Sequence, residues 1–284
     1  ALCPRVLHYL VSILVDSMDS SRNKNMRGNE NLQNLPEDWE RALVVVAHPD
    51  DVEYGTASTV ARWTSQGKQV VYLLATKGEA GIDGMHPDET APLRVKEEMG
   101  SAAVVGVDTV EFLDHKDGVI EYGLPLRRDI AGAIRRHEPD IVITASFHLK
   151  WPSGALNMAD HRAVGEAVLD AARDAGNRWI FTDLIDEGLE PWNGVRFVAV
   201  AGSPSAAHAV DVSDHIDVGV ASLLEHDAYI KGLGREFDPN SFLKDNASWA
   251  GAEMGVDYAI VVTSAAGLWA YRVGDVVRFV DRDP

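Results

Sequence analysis

The sequence predicts a three-layer α/β fold, in which a mostly parallel sheet carries helices on both faces and a C-terminal extension follows. Three observations lead there: short unbroken apolar runs of strand length recur, helical stretches separate them, and glycines stand where those stretches end. Apolar runs without alternation suit strands buried on both faces, and strand–helix alternation favours right-handed crossovers between parallel strands. In such a sheet function collects at the carboxyl ends of the strands.

The first strand is residues 42–47 (ALVVVA). A helix follows over 55–66 with Gly67 as its C-terminal cap, and residues 69–75 (QVVYLLA) form the second strand. The loop 76–90 carries Gly78, Gly81 and Gly84 among several acids and is long enough to border a site. A helix over 93–105 closed by Gly106, a strand at 109–113, a polar loop through Asp117 and Gly118, a helix over 124–137 and a strand at 140–145 after Pro139 continue the rhythm. After the loop 146–159 come a helix over 160–175 ended by Gly176, short strands at 196–201 and 209–212, and a helix over 214–230. Beyond residue 232 the pattern weakens, with strands expected at 258–263 and 276–280.

This divides the chain into a flexible leader (1–40), an α/β catalytic domain (41–231) and a C-terminal capping segment (232–284). The leader opens with an apolar run at 7–15, too short to span a bilayer, then turns polar and rich in Asn, Ser and Arg. Met18 and Met26 within it are alternative starts. Hydrophobic residues at 46% and charged residues at 25% are ordinary for a globular chain. The net charge of -18 opposes phosphate backbones and anionic lipid, so nucleic acid and membrane are not the expected partners. A homo-oligomer stays open. Cys3 is the only cysteine, which rules out an intrachain disulfide framework and a multi-cysteine metal site. Any metal must sit on His, Asp or Glu, and the expected location is cytoplasmic.

Directly after the first strand comes Ala47-His48-Pro49-Asp50-Asp51, which sets an imidazole and two carboxylates at the carboxyl end of the sheet. Catalytic zinc commonly takes three protein ligands and leaves a position for water, and His48 and Asp51 offer two. Asp50 between them stands beside a metal without needing to bind it, where a carboxylate takes a proton from zinc-bound water as the oxygen attacks a carbonyl. Pro49 fixes its own φ and restricts His48 to extended geometry. A third ligand is offered by His161, at the start of the helix after the fourth strand and near the same end of the sheet. Taken alone, His-Pro-Asp-Asp also reads as a turn and helix cap, and His161 as a surface histidine next to a capping Asp160.

With these motifs, and with Thr76-Lys77-Gly78-Glu79-Ala80-Gly81, the segment Arg94 to Glu97, Asp117-Gly118 and Asp160-His161-Arg162-Ala163 in the same order, the sequence resembles the N-acetylglucosaminyl-phosphatidylinositol de-N-acetylase family, the PIG-L or LmbE-like deacetylases. The resemblance spans roughly residues 41–226. It implies a Rossmann-like three-layer fold, Zn2+ on His48, Asp51 and His161, Asp50 as general base, and sugar contacts from Arg94 and Asp117. The implied activity is hydrolytic removal of an N-acetyl or related acyl group from an amino-sugar derivative.

One departure bears on mechanism. The family often has His-Pro-Asp-His where this chain has Met158-Ala159-Asp160-His161, and methionine can neither stabilise an oxyanion nor protonate a leaving amine as the first histidine of that motif does. Asp50, once protonated, could return its proton, or His148 could serve. Competing readings are an amidase on a larger sugar or thiol conjugate, and a noncatalytic carbohydrate- or metal-binding relative. A nucleotide-binding oxidoreductase is disfavoured because His-Pro-Asp-Asp replaces the glycine-rich turn a pyrophosphate needs. For Arg94 the plain role is an exposed ion pair with Glu97 or Glu98, and for Asp117 a turn before Gly118. His86, His115, His208, His215 and His226 read as surface or structural groups. Trp151, Trp192 and Trp249 read as core packing, with a sugar-site face as the alternative.

Overall fold

The computed structural model describes residues 32–151, 153–234 and 236–266. In chain order the elements are β1 (Gln33–Asn34), β2 (Arg41–Val46), α1 (Asp51–Gly55), α2 (Ala57–Ser65), β3 (Gln69–Leu74), α3 (Pro87–Val104), β4 (Thr109–Phe112), α4 (Leu124–His137), β5 (Ile141–Ala145), α5 (Ala159–Ala175), α6 (Asp183–Asp186), β6 (Phe197–Ala201), β7 (His208–Asp211), α7 (Ile216–Leu224), α8 (Asp227–Gly232), α9 (Pro239–Met254) and β8 (Ala259–Ala266).

Among the described residues eight strands make one sheet in the order β1-β7-β8-β6-β5-β2-β3-β4. The run β6-β5-β2-β3-β4 is parallel, as its apolar strands and intervening helices require. β2 lies inside it between β5 and β3, and successive residues of β2 serve opposite layers. Leu43, Val45 and Ala47 pack with α4 and α5, while Ala42, Val44 and Val46 pack with α2, α3 and α7. Both faces are therefore sealed, and the strand's carboxyl end is where its backbone first meets polar company.

The structure departs from the sequence reading at both flanks. Residues 32–40, expected in the leader, join the domain: β1 pairs in parallel with β7, and Leu35 and Trp39 are buried, Trp39 edge-on against Trp63 at 4.9 Å. Two apolar anchors among polar neighbours suffice for this. The segment expected to cap the fold beyond residue 232 supplies α9 and then β8, which enters antiparallel between β6 and β7. The left-handed Gly255 (φ 75) ends α9 ahead of that strand. The apolar run at 7–15 and the strand expected at 276–280 lie outside the described residues.

Smaller differences have local causes. The helix expected from residue 93 begins at Pro87, where His86 Nδ1 accepts the Asp88 N–H at 3.3 Å; Pro87 suits a first turn, and α3 tolerates the internal Pro92. The helix expected over 214–230 is broken at Glu225 and His226 into α7 and α8. None of the helices among the described residues is long and apolar enough to cross a membrane.

Candidate metal centre

β2 ends at Val46, and the next five residues turn sharply out of the sheet. Asp50 takes φ 88°, a left-handed conformation that disfavours any residue with a Cβ, and Asp51 opens α1. Asp51 Oδ2 accepts the N–H groups of Ala47 at 3.1 Å and His48 at 2.9 Å, which ties the turn closed. Its other oxygen, Oδ1, faces His161 Nε2 at 2.9 Å, and its Oδ2 lies 3.5 Å from His48 Nδ1. One donor atom from each of His48, Asp51 and His161 lies within 4.8 Å of the others.

Hydrogen bonds settle which way the two rings face. Asn157 Nδ2 donates to the carbonyls of Ser146 at 2.6 Å and His148 at 3.1 Å, so its Oδ1 is the atom that meets His161 Nδ1 at 2.9 Å. His161 Nδ1 then carries the proton and Nε2 presents its lone pair to Asp51. For His48, Nε2 stands between Asp117 Oδ1 at 3.0 Å and Asp160 Oδ2 at 3.2 Å, which places its N–H there and leaves the Nδ1 lone pair toward Asp51. Two neutral nitrogens and one carboxylate oxygen converge, each nitrogen oriented by a partner behind it. This donor set fits a divalent metal of the zinc type.

The electrostatics agree. Burial works against a charged His48, yet Asp117, Asp160 and Asp51 push it up to about 12. Burial raises Asp51, but His161 and His48 hold it well below the usual carboxylate range. Four carboxylates press on this pocket, and they favour positive charge in it; a divalent cation answers that demand while leaving both rings neutral. Asp50 differs: burial and the neighbouring Asp51 raise it to about 6 against the pull of Arg94.

The residues expected to touch a sugar, Arg94 and Asp117, lie against Asp50 and His48. Arg94 is only 2% exposed; its Nη2 donates to the Pro49 carbonyl at 2.5 Å and pairs with Asp50 Oδ2 at 2.9 Å, and its guanidinium lies 4.1 Å from the centre of the Tyr229 ring. This is neither an exposed helix-face ion pair nor a group with free surface for a ligand. Asp117 is spent on His48 and on the Ala80 N–H at 2.8 Å.

Sequence reasoning passed over three groups. Asp160, read as a cap, accepts the N–H groups of Gly118 at 2.7 Å and Ile120 at 3.1 Å while holding His48. Asn157 stands four residues before His161, a spacing that was available as a signal. His226, left among surface or structural groups, is wholly buried beside Glu53 and Glu98. Met158 sits at the N-terminus of α5 with 53% of its surface exposed, and Trp151 reaches His161 edge-on at 6.0 Å.

A family model described as GlcNAc-PI de-N-acetylase matches residues 43–172. Diacetylchitobiose deacetylase of Thermococcus kodakarensis is 30% identical, over 82% of this chain and 86% of that protein. The chain belongs to the GlcNAc-PI de-N-acetylase family. A second family member, the 1D-myo-inositol 2-acetamido-2-deoxy-alpha-D-glucopyranoside deacetylase of Kineococcus radiotolerans, is 30% identical over 46% of this chain and 44% of its own length. Among solved structures, N,N'-diacetylchitobiose deacetylase from Pyrococcus horikoshii superposes with a TM-score of 0.73 at 25% identity, covering 89% of this chain and 95% of that one. The GlcNAc-PI de-N-acetylase match contains every group of the candidate metal centre, whereas His226 and Tyr229 lie beyond it. A GH3 family central-domain model matches 238–283, a stretch whose described part is α9 and β8 of this same sheet.

Proposed function

We propose that this protein is a zinc-dependent deacetylase that hydrolyses the N-acetyl group of an amino-sugar derivative. The observation that carries the reading is the convergence of two oriented imidazole nitrogens and one carboxylate oxygen at the carboxyl end of β2, beside a buried carboxylate that binds none of them. The similarity to diacetylchitobiose deacetylase supports the substrate class.

His48, Asp51 and His161 would hold the zinc, which when bound supplies Lewis-acid polarisation of the amide carbonyl. Asp50 does the proton chemistry. Its raised affinity for a proton, about 6, lets its carboxylate take one from water as the oxygen attacks the carbonyl carbon. The same carboxyl then returns the proton to the departing nitrogen, and acetate and the free amine are the products. This second step falls to Asp50 because Met158 stands exposed in solvent and has no group to offer. Arg94 and Asp117 are assigned to holding Asp50 and His48, and the Trp151 ring beside His161 offers the apolar face on which a sugar ring packs.

The test is acetate release from diacetylchitobiose and monomeric N-acetylglucosamine derivatives by the zinc-loaded protein. Asp50→Asn is expected to keep its metal and to lose about 10²- to 10⁴-fold in kcat. A wild-type protein that binds zinc and releases no acetate from acetylated sugars overturns the substrate class. Release of a bulkier acid from larger conjugates would then make it an amidase.

A further inference from the structure

The peptide between Pro49 and Asp50 is gripped at both ends from one helix. Arg94 Nη2 donates to the Pro49 carbonyl at 2.5 Å, and Glu98 Oε2 accepts the Asp50 N–H at 3.2 Å. Arg94 and Glu98 stand one turn apart on α3, so a single rigid face fixes both polar groups of that peptide. The orientation of the peptide sets the φ of Asp50, and at 88° it lies where a residue with a Cβ does not rest unless its surroundings impose it.

His226 packs beside Glu98 without a hydrogen bond. Glu98 is fully buried, and His226 Nε2 lies 3.7 Å from its Oε2 and 3.5 Å from Glu53 Oε2. His226 reaches this place because the chain breaks between α7 and α8. The Ala228 N–H donates to Glu97 Oε1 at 2.6 Å, and Tyr229 covers Arg94, so α8 is tied to the same turn of α3. Ser101 donates to Glu53 Oε1 at 2.6 Å and closes the inner side. As an ion site the cluster falls short: it has three ligand groups sealed from water where a closed zinc site takes four.

We propose that Glu98, buried against His226, is a positioning residue that holds Asp50 in the backbone conformation from which its carboxylate acts. The proposal rests on the reading of Asp50 as the base. It predicts that the acceptor oxygen at position 98 matters and its charge does not.

The experiment compares the zinc-loaded wild type with Glu98→Gln and Glu98→Met, using diacetylchitobiose. Methionine removes the acceptor, and kcat is expected to fall about 30- to 100-fold with zinc content unchanged and KM within about twofold. Glutamine keeps an oxygen for the Asp50 N–H and is expected to stay within about threefold of wild type. Hydrogen exchange at the Asp50 amide, read independently of turnover, should be slow in wild type and in Glu98→Gln. A folded, zinc-loaded Glu98→Met protein with kcat within about threefold of wild type overturns the proposal, as does fast exchange at Asp50 in wild type. Should Glu98→Met not fold, the wild-type exchange decides. If the wild type turns over no sugar, the proposed activity fails by itself and the exchange still decides whether the peptide is gripped.

Discussion

Two clusters of three titratable side chains lie on either side of Asp50, and they are built to opposite rules. In the outer one, His48, Asp51 and His161, each ring is turned by a partner behind it so that a lone pair points inward. In the inner one, Glu53, Glu98 and His226, all three groups are fully buried and neither nitrogen of His226 makes a hydrogen bond. Closeness is common to both. What separates them is the orientation of the donors: Asn157 and the pair Asp117 and Asp160 turn the outer rings, and no hydrogen bond turns His226.

The largest expected effect breaks the outer cluster. His161→Ala should reduce bound zinc from one equivalent to near none, measured by metal analysis, and abolish acetate release; retention of a full equivalent would remove His161 from the ligand set. A partner behind a ligand should matter less. Asp117→Asn is expected to weaken zinc binding about 10- to 100-fold in a competition assay with a chelator, while the saturated enzyme still turns over. An unchanged affinity would mean that Asp160 alone orients His48.

The inner cluster should answer to pH. Burial and the charge of Glu53 raise the affinity of Glu98 for its proton well above the ordinary value of 4.5. The folded state thus favours the neutral acid, so the stability this group contributes is complete below that ordinary value and declines as pH rises toward the folded one. Glutamine is neutral throughout. The Tm of Glu98→Gln should therefore gain on wild type between pH 5 and pH 8, and a gap that stays constant over that range would count against a buried titrating carboxyl. The smallest effect is expected at the rim, where Met158→Ala should change kcat by less than about twofold because the side chain stands in solvent. A tenfold loss would bring Met158 into the substrate site.

The outer cluster was legible in the sequence because its residues are packed into two short motifs, each beside a strand end that apolar runs had already located. The strands themselves were legible for the same reason. Arg94 and Asp117 were found as members of the site, but burial is a property of three dimensions, and no spacing reveals that a guanidinium lies under Tyr229. The inner cluster left no trace: Glu53, Glu97 and Glu98 look like solvated helix faces, and only the break at Glu225 and His226 turns the histidine inward. The flanks failed differently. Leu35 and Trp39 are too few to show a period, and the apolar stretch read as a strand at 258–263 does not say between which neighbours it will lie.

That last strand has a consequence for biosynthesis. β8 follows every other strand described in the sequence, yet it fills an interior place between β6 and β7. A ribosome that has delivered β2, β3, β4, β5 and β6 has released all that the outer cluster needs, while β6 still shows one bare backbone edge and β7 another. Translation halted before residue 259 would leave those edges open to other nascent chains, so the half of the molecule without the chemistry is the half in which premature termination invites aggregation.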